Sequence, residues 1–266
     1  MFCIAGRPAG MASIRTSICA VISVAVLVFV TIVPAHAFAA GGMGDDDEDG
    51  IPTPTVAGDF NRDGIADMAM ASMPVAGRTG VGSGQAFLTV LLGQKDGSFR
   101  QAASNPAIGL DPQSIVVGDF NGDGIPDLIV GDADGSLIEL LGDGTGNLVS
   151  AGEIAHVSSV VSIARGDFNH DGIPDMAVSD STSGSITILL GEKGGSFHTE
   201  WSFSYERLGM AEYLTAADFN GDGFTDLAVT NKDGEMIEVM LGNGHGTFTA
   251  SPELRSVKDP YSHCAT

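Results

Sequence analysis

Four copies of one acidic, glycine-kinked segment govern what this chain can become. They read GDFNRDGIADM (58–68), GDFNGDGIPDL (118–128), GDFNHDGIPDM (166–176) and ADFNGDGFTDL (217–227). Their opening aspartates stand at 59, 119, 167 and 218, in steps of 60, 48 and 51 residues. A second segment follows each: VLLGQKDGSF (90–99), ELLGDGTGNL (139–148), ILLGEKGGSF (188–197) and VMLGNGHGTF (239–248). From the last aspartate of the first segment to the LLG or MLG glycine of the second is 26, 15, 16 and 16 residues. The long first step is therefore a normal repeat with about ten extra residues in 73–87, read as an elaborated loop. A period near 50 residues belongs to solenoids and propellers. Within one repeat, SIVVGDF enters the acidic loop, DLIVGD leaves it, SLIELLG follows a glycine turn, and a further strand starts at GNL or GSF. Short aliphatic and β-branched runs closed by Gly or Asp are strand signals, and no stretch between loops carries a convincing helical period. The expectation is an all-β chain of four four-stranded blades, a β-propeller or part of one.

The second loop shows the chemistry. Asp119, Asn121 and Asp123 alternate with non-ligands, so a curled backbone turns three side-chain oxygens inward. Gly124 supplies the positive φ of the sharp turn. Ile125 can offer its carbonyl, and Asp127 closes the set with another carboxylate. Hard oxygen donors carrying three negative charges suit calcium, with water completing the shell; magnesium, smaller and reluctant to lose water, suits them less. Softer metals find no sulfur or imidazole. An EF-hand opens similarly but needs a bidentate Glu at the twelfth position and flanking helices. Here the twelfth positions are Met70, Val130, Val178 and Val229, and the ninth aspartate does that work. Asp, Asn and Gly are also ordinary turn residues. Four copies in one register, each a carboxylate cluster that repels itself without a cation, favour metal. Phe60, Phe120, Phe168 and Phe219 have no ligand role and are expected under the loops as core.

DFNGDGIPDLIV followed by an LLGxGxGxF hairpin resembles the FG-GAP/VCBS repeats of secreted bacterial proteins, relatives of the calcium-binding blades of integrin α chains. The resemblance covers Val56 to the end. It implies a β-propeller with calcium between the first two strands of each blade. By that resemblance the ligand sets are Asp59, Asn61, Asp63, Ile65 and Asp67; Asp119, Asn121, Asp123, Ile125 and Asp127; Asp167, Asn169, Asp171, Ile173 and Asp175; and Asp218, Asn220, Asp222, Phe224 and Asp226. About four calcium ions follow, one per loop. Such propellers usually have seven blades, whereas this chain has four. DPYSHCAT (259–266) lines up with DPQSIVVG (111–118), so it is read as the start of a fifth repeat or as a closing strand. An open arc is expected, since four blades must turn about 90° each to close a ring, and open blade edges invite self-association.

The remaining sequence sets the context. Residues 1–37 read as a signal peptide: Arg7 and Arg15 precede an uncharged run (18–33), and Ala35-His36-Ala37 fits a cleavage site. Met1 and Met11 are both candidate starts, and retention as an anchor is the alternative to cleavage. Either way the rest of the chain is expected outside, secreted or at the cell surface. Residues 38–55, with GGMGDDDEDG, read as a flexible acidic linker, and the four repeats occupy 56–258. The net charge is −22, from 12 basic and 34 acidic residues, which disfavours nucleic acid and anionic membranes. Cys264 is the one cysteine beyond the signal, so no internal disulfide is expected. No nucleophile–base motif, zinc motif or phosphate loop is present. His170 and His245 occupy turn positions where other copies carry Gly. Trp201, Phe203 and Tyr205 alternate along one strand, either as a sugar-stacking strip or as an outer strand covering the core. The sequence points to an exported calcium-binding interaction module without catalysis, with an unknown protein or glycan ligand. A carbohydrate-binding lectin is the alternative, and an accessory domain or fragment of a secreted enzyme comes third.

Overall fold

The computed structural model describes residues 54–72, 84–180, 182–204, 211–231, 236–251 and 255–256. The signal segment, nearly all of the acidic linker, most of the 73–87 insertion, Tyr205 and residues 259–266 lie outside the described residues. Four antiparallel meanders follow one another. The first is β1 (Thr55–Gly58), β2 (Asp67–Ser72), β3 (Phe87–Gly93) and β4 (Phe99–Gln101). The second is β5 (Pro112–Gly118), β6 (Asp127–Asp132), β7 (Ser136–Gly142) and β8 (Leu148–His156). The third is β9 (Ser162–Gly166), β10 (Asp175–Asp180), β11 (Ser185–Gly191) and β12 (Phe197–Ser204). The fourth is β13 (Ala211–Ala217), β14 (Asp226–Asn231), β15 (Met236–Gly242) and β16 (Phe248–Ala250), with β17 (Arg255–Ser256) also pairing with β15. Each acidic segment thus joins the first two strands of a blade, as its Gly and Asp residues dictate.

Blades pack in chain order through their first strands: β1 against β5, β5 against β9, and β9 against β13. Serine hydroxyls link two of these steps. The Ile163 N–H donates to Ser114 Oγ at 3.1 Å, and the Leu214 N–H to Ser162 Oγ at 3.2 Å. Among the described residues no comparable packing returns from β13 to β1, so the series is a partial propeller.

The core lies in the joints between blades. Leu128 and Val130 of β6 face the first blade with Leu88, Val90 and Leu92, while Ile129 faces the third with Val160, Met176 and Val178. A strand sandwiched on both sides needs apolar residues at successive positions, which is why DLIV and DMAV read as unbroken runs. In β2 burial alternates instead, with Ala69 and Ala71 buried toward the second blade and Met68 and Met70 only half-buried.

The loop phenylalanines complete this arrangement. Phe60, Phe120 and Phe168 each plug the joint with the following blade, and Phe219 lies in a smaller cluster on the far face of the fourth. Phe168 meets Phe248 edge-on at 5.3 Å. Trp201 and Phe203 stack at 4.3 Å and pack on this same joint, so these two aromatics cover core. Phe168→Ala removes a fully buried ring from the joint of the third and fourth blades, and equilibrium denaturation should show a loss of about 3–5 kcal/mol.

Candidate metal centre

Each acidic loop is wound by two left-handed residues. The sixth position is always glycine, with φ of 81, 80, 83 and 91° at Gly64, Gly124, Gly172 and Gly223. The fourth position is left-handed too, and there the first and third loops use Arg62 and His170, both at φ 60°, in place of Gly122 and Gly221. The exposed turn read for His170 is found. The strain it carries could have been read from the glycines of the sister copies.

The winding turns the first, third and fifth side chains onto the loop's own backbone. Asp59 accepts the N–H groups of Asp63 and Gly64 at 3.0 and 2.9 Å, Asn61 Oδ1 accepts that of Asp63 at 3.0 Å, and Asp63 Oδ1 that of Ile65 at 2.8 Å. The second, third and fourth loops repeat these contacts through Asp119, Asn121 and Asp123, through Asp167, Asn169 and Asp171, and through Asp218, Asn220 and Asp222. In every loop the asparagine Nδ2 donates to the fifth-position carboxylate.

The ninth aspartate lies deeper. Asp67, Asp127, Asp175 and Asp226 are buried. In the third loop Asp175 Oδ2 accepts the N–H groups of Phe168 at 2.6 Å and Asn169 at 3.3 Å, and Oδ1 accepts that of Gly191 at 2.8 Å. Asp67, Asp127 and Asp226 likewise bind the N–H groups of Phe60, Phe120 and Phe219, and of Gly93, Gly142 and Gly242. Those last residues are the LLG and MLG glycines. The near-constant sequence interval between aspartate and glycine is therefore bridged by a hydrogen bond. Glycine is required there, because a Cβ on Gly191 would overlap the Pro174 carbonyl, and one on Gly142 that of Pro126. The seventh residues sit at the same corner: Ile65, Ile125 and Ile173 place Cγ2 beside Gly93, Gly142 and Gly191, and Phe224 lies against Gly244.

Two features escaped the sequence reading. The glycine before each of the first three loops gives the phenylalanine ring room: Gly58 and Gly118 would carry a Cβ 3.0 and 2.8 Å from Cζ of Phe60 and Phe120, and Gly166 would meet Phe168. The second feature is Glu139, buried in β7 with Oε1 unpartnered among the described residues. Burial first, and the Asp127 charge second, raise its carboxyl above the ordinary range.

All four loops carry side-chain oxygens of the expected kind at the same positions of one backbone geometry. Among the described residues no three His, Cys, Asp or Glu side chains have converged on one point. A cation would be held by lone pairs that the loop's own hydrogen bonds leave over. A carboxylate oxygen accepting one N–H keeps a second lone pair for that purpose. The donor set fits a hard divalent ion, with Asp59, Asn61, Asp63 and Asp67, and their counterparts, as the side chains to hold it.

Burial raises the carboxyls of Asp67, Asp127, Asp175 and Asp226, against the lowering effect of their N–H donors. Asp175 is pushed up to about 6 from 3.8. The folded chain thus holds an extra proton between those values. This contribution favours folding below about pH 4 and is lost as pH rises through about 6. In calcium-free buffer, carboxyl-carbon NMR of Asp175 should titrate with a midpoint near 6.

Comparison with known proteins agrees with the repeat. The profile described as FG-GAP-like repeat matches residues 59–130 and 167–229, and that described as FG-GAP repeat matches 112–149. A search of curated proteins finds no match. Among solved structures, one similar chain comes from the crystal structure of BBS1N in complex with ARL6DN, soaked with lead, at 15% identity and a TM-score of 0.45. The match covers 77% of this chain and 56% of that one, so the present chain spans little more than half the length of that relative. With its acidic loops lying inside the matched residues, the chain belongs to the FG-GAP-like repeat family.

Proposed function

We propose that this chain is an exported interaction module whose four loops bind calcium, and that the calcium is structural. One observation carries the reading: the same oxygen donors recur in four loops of one backbone geometry, each clasped to its blade by a buried aspartate. Four separate clusters of three aspartates repel themselves, and a bound divalent ion removes that cost. The ion would neutralise the loop and fix its shape, while Asp59, Asn61, Asp63, Asp67 and their counterparts orient around it. The exposed faces and loop rims are then free to meet a protein or a cell-surface ligand, with no chemistry performed on it.

A carbohydrate-binding reading has one observation on its side. A cleft of about 570 Å³ between β8 and the third blade is lined by hydroxyls, among them Ser183, Ser185, Thr187, Thr199 and Ser202. Trp201 gives it less help, being packed on the core. Saturable binding on a glycan array would favour this second reading.

Calorimetry on the full chain should find about four calcium ions bound, in the range of extracellular modules at roughly 10⁻⁴ to 10⁻³ M for the ordinary loops. Chelation should lower the melting temperature by about ten degrees or more, given the repulsion left behind. An isotherm without calcium binding, or a melt indifferent to chelator, would overturn the reading.

A further inference from the structure

Glu139 occupies a place that the other three repeats fill with hydrocarbon. Counting back three residues from the LLG or MLG glycine gives Val90, Ile188 and Val239, all buried in joints or on the core. Glu139 is equally deep, at 6% exposure, and its Oε1 has no hydrogen-bond partner among the described residues. A buried carboxylate oxygen without a donor is costly unless something else satisfies it.

Its position points to the second loop. Glu139 stands opposite Ile129 in the β6–β7 register, and directly opposed residues share a face. Asp127, two residues before Ile129, lies on that face too. Ile129 is in the joint of the second and third blades, so Glu139 faces that joint, and its carboxyl feels the Asp127 charge. Gly195, in the β11–β12 hairpin of the third blade, comes down over Glu139 and the second loop: a Cβ there would lie 3.6 Å from Cα and Cβ of Asn121 and 3.7 Å from Glu139 Oε1. In the joints on either side, the corresponding hairpin glycine crosses to the preceding loop. Gly146 donates to the Phe60 carbonyl at 3.0 Å, and Gly246 to that of Phe168 at 2.9 Å. Gly195 instead donates back to the Glu192 carbonyl at 3.1 Å. The middle joint therefore exchanges a neutral hydrogen bond for a free carboxylate oxygen beside a ligand loop.

We propose that Glu139 is an additional ligand of the second loop, joining Asp119, Asn121, Asp123 and Asp127 in a divalent-cation site stronger than the other three. Four carboxylates in place of three raise the affinity of an oxygen site for calcium. The ion also ties β7 to the loop at the joint with the third blade. The inference rests on the reading that the loops bind calcium.

Calcium titration of the full chain, alongside Glu139→Gln and Glu139→Val, tests it. The native chain should bind one ion at least about tenfold more tightly than the rest. Both variants should lose that tight step and keep the weaker ones. Glu139→Val, which installs what Val90 and Val239 already are, should melt higher than the native chain in EDTA and gain less from calcium. Four equal sites in the native chain, or variant isotherms that overlay the native one, would overturn the proposal while leaving loop binding intact. No calcium binding by the native chain would overturn both.

Discussion

In every blade a buried carboxylate at the end of the acidic loop takes one N–H bond from the loop's second residue and another from the glycine that ends the third strand. Asp175 does this for Phe168 and Gly191. The first bond closes the loop on itself, and the second fastens it across to a strand that is sixteen residues further on. Bonds from N–H to a carboxylate are about twice as strong as neutral ones. They partly offset the cost of burying charge, and the raised carboxyl of Asp175 shows that burial still has the upper hand. The closure of the loop, its tie to the third strand and the seat of the phenylalanine follow from this one group.

The phenylalanine carries the constraint outward. Held by its own N–H on the ninth aspartate, it points its ring into the joint with the next blade, where Phe168 meets Phe248 and Phe120 meets Phe197. A change in the loop is therefore felt in the neighbouring blade through packing. Among the described residues each blade packs on its neighbours in the chain, the arrangement of a quasi-one-dimensional protein.

Much of this was legible in the sequence because repetition removes ambiguity. DLIVGD and SLIELLG coincide with β6 and β7, the four phenylalanines are buried, and the sixth-position glycines are left-handed as the turn demands. What stayed hidden depends on distances between segments far apart in the chain. The ninth aspartate reads as a ligand, and only the fold reveals that its oxygens already serve two segments of backbone. Glu139 interrupts the apolar run of SLIELLG, and register and joint place it inside. Its signal lay in comparing copies, where three carry carbon and one carries a carboxylate.

Because each apolar joint is built half from one blade and half from the next, the unit of sequence and the unit of packing are out of phase. Leu128 and Val130 complete the preceding joint, whereas Ile129 and Phe120 belong to the following one. Inserting or deleting one whole repeat would leave every surviving joint with its two halves. A change of half a repeat would leave a bare apolar surface and an aspartate without its glycine. Growth and loss in such a chain are thus quantised, and its natural currency of variation is the entire blade.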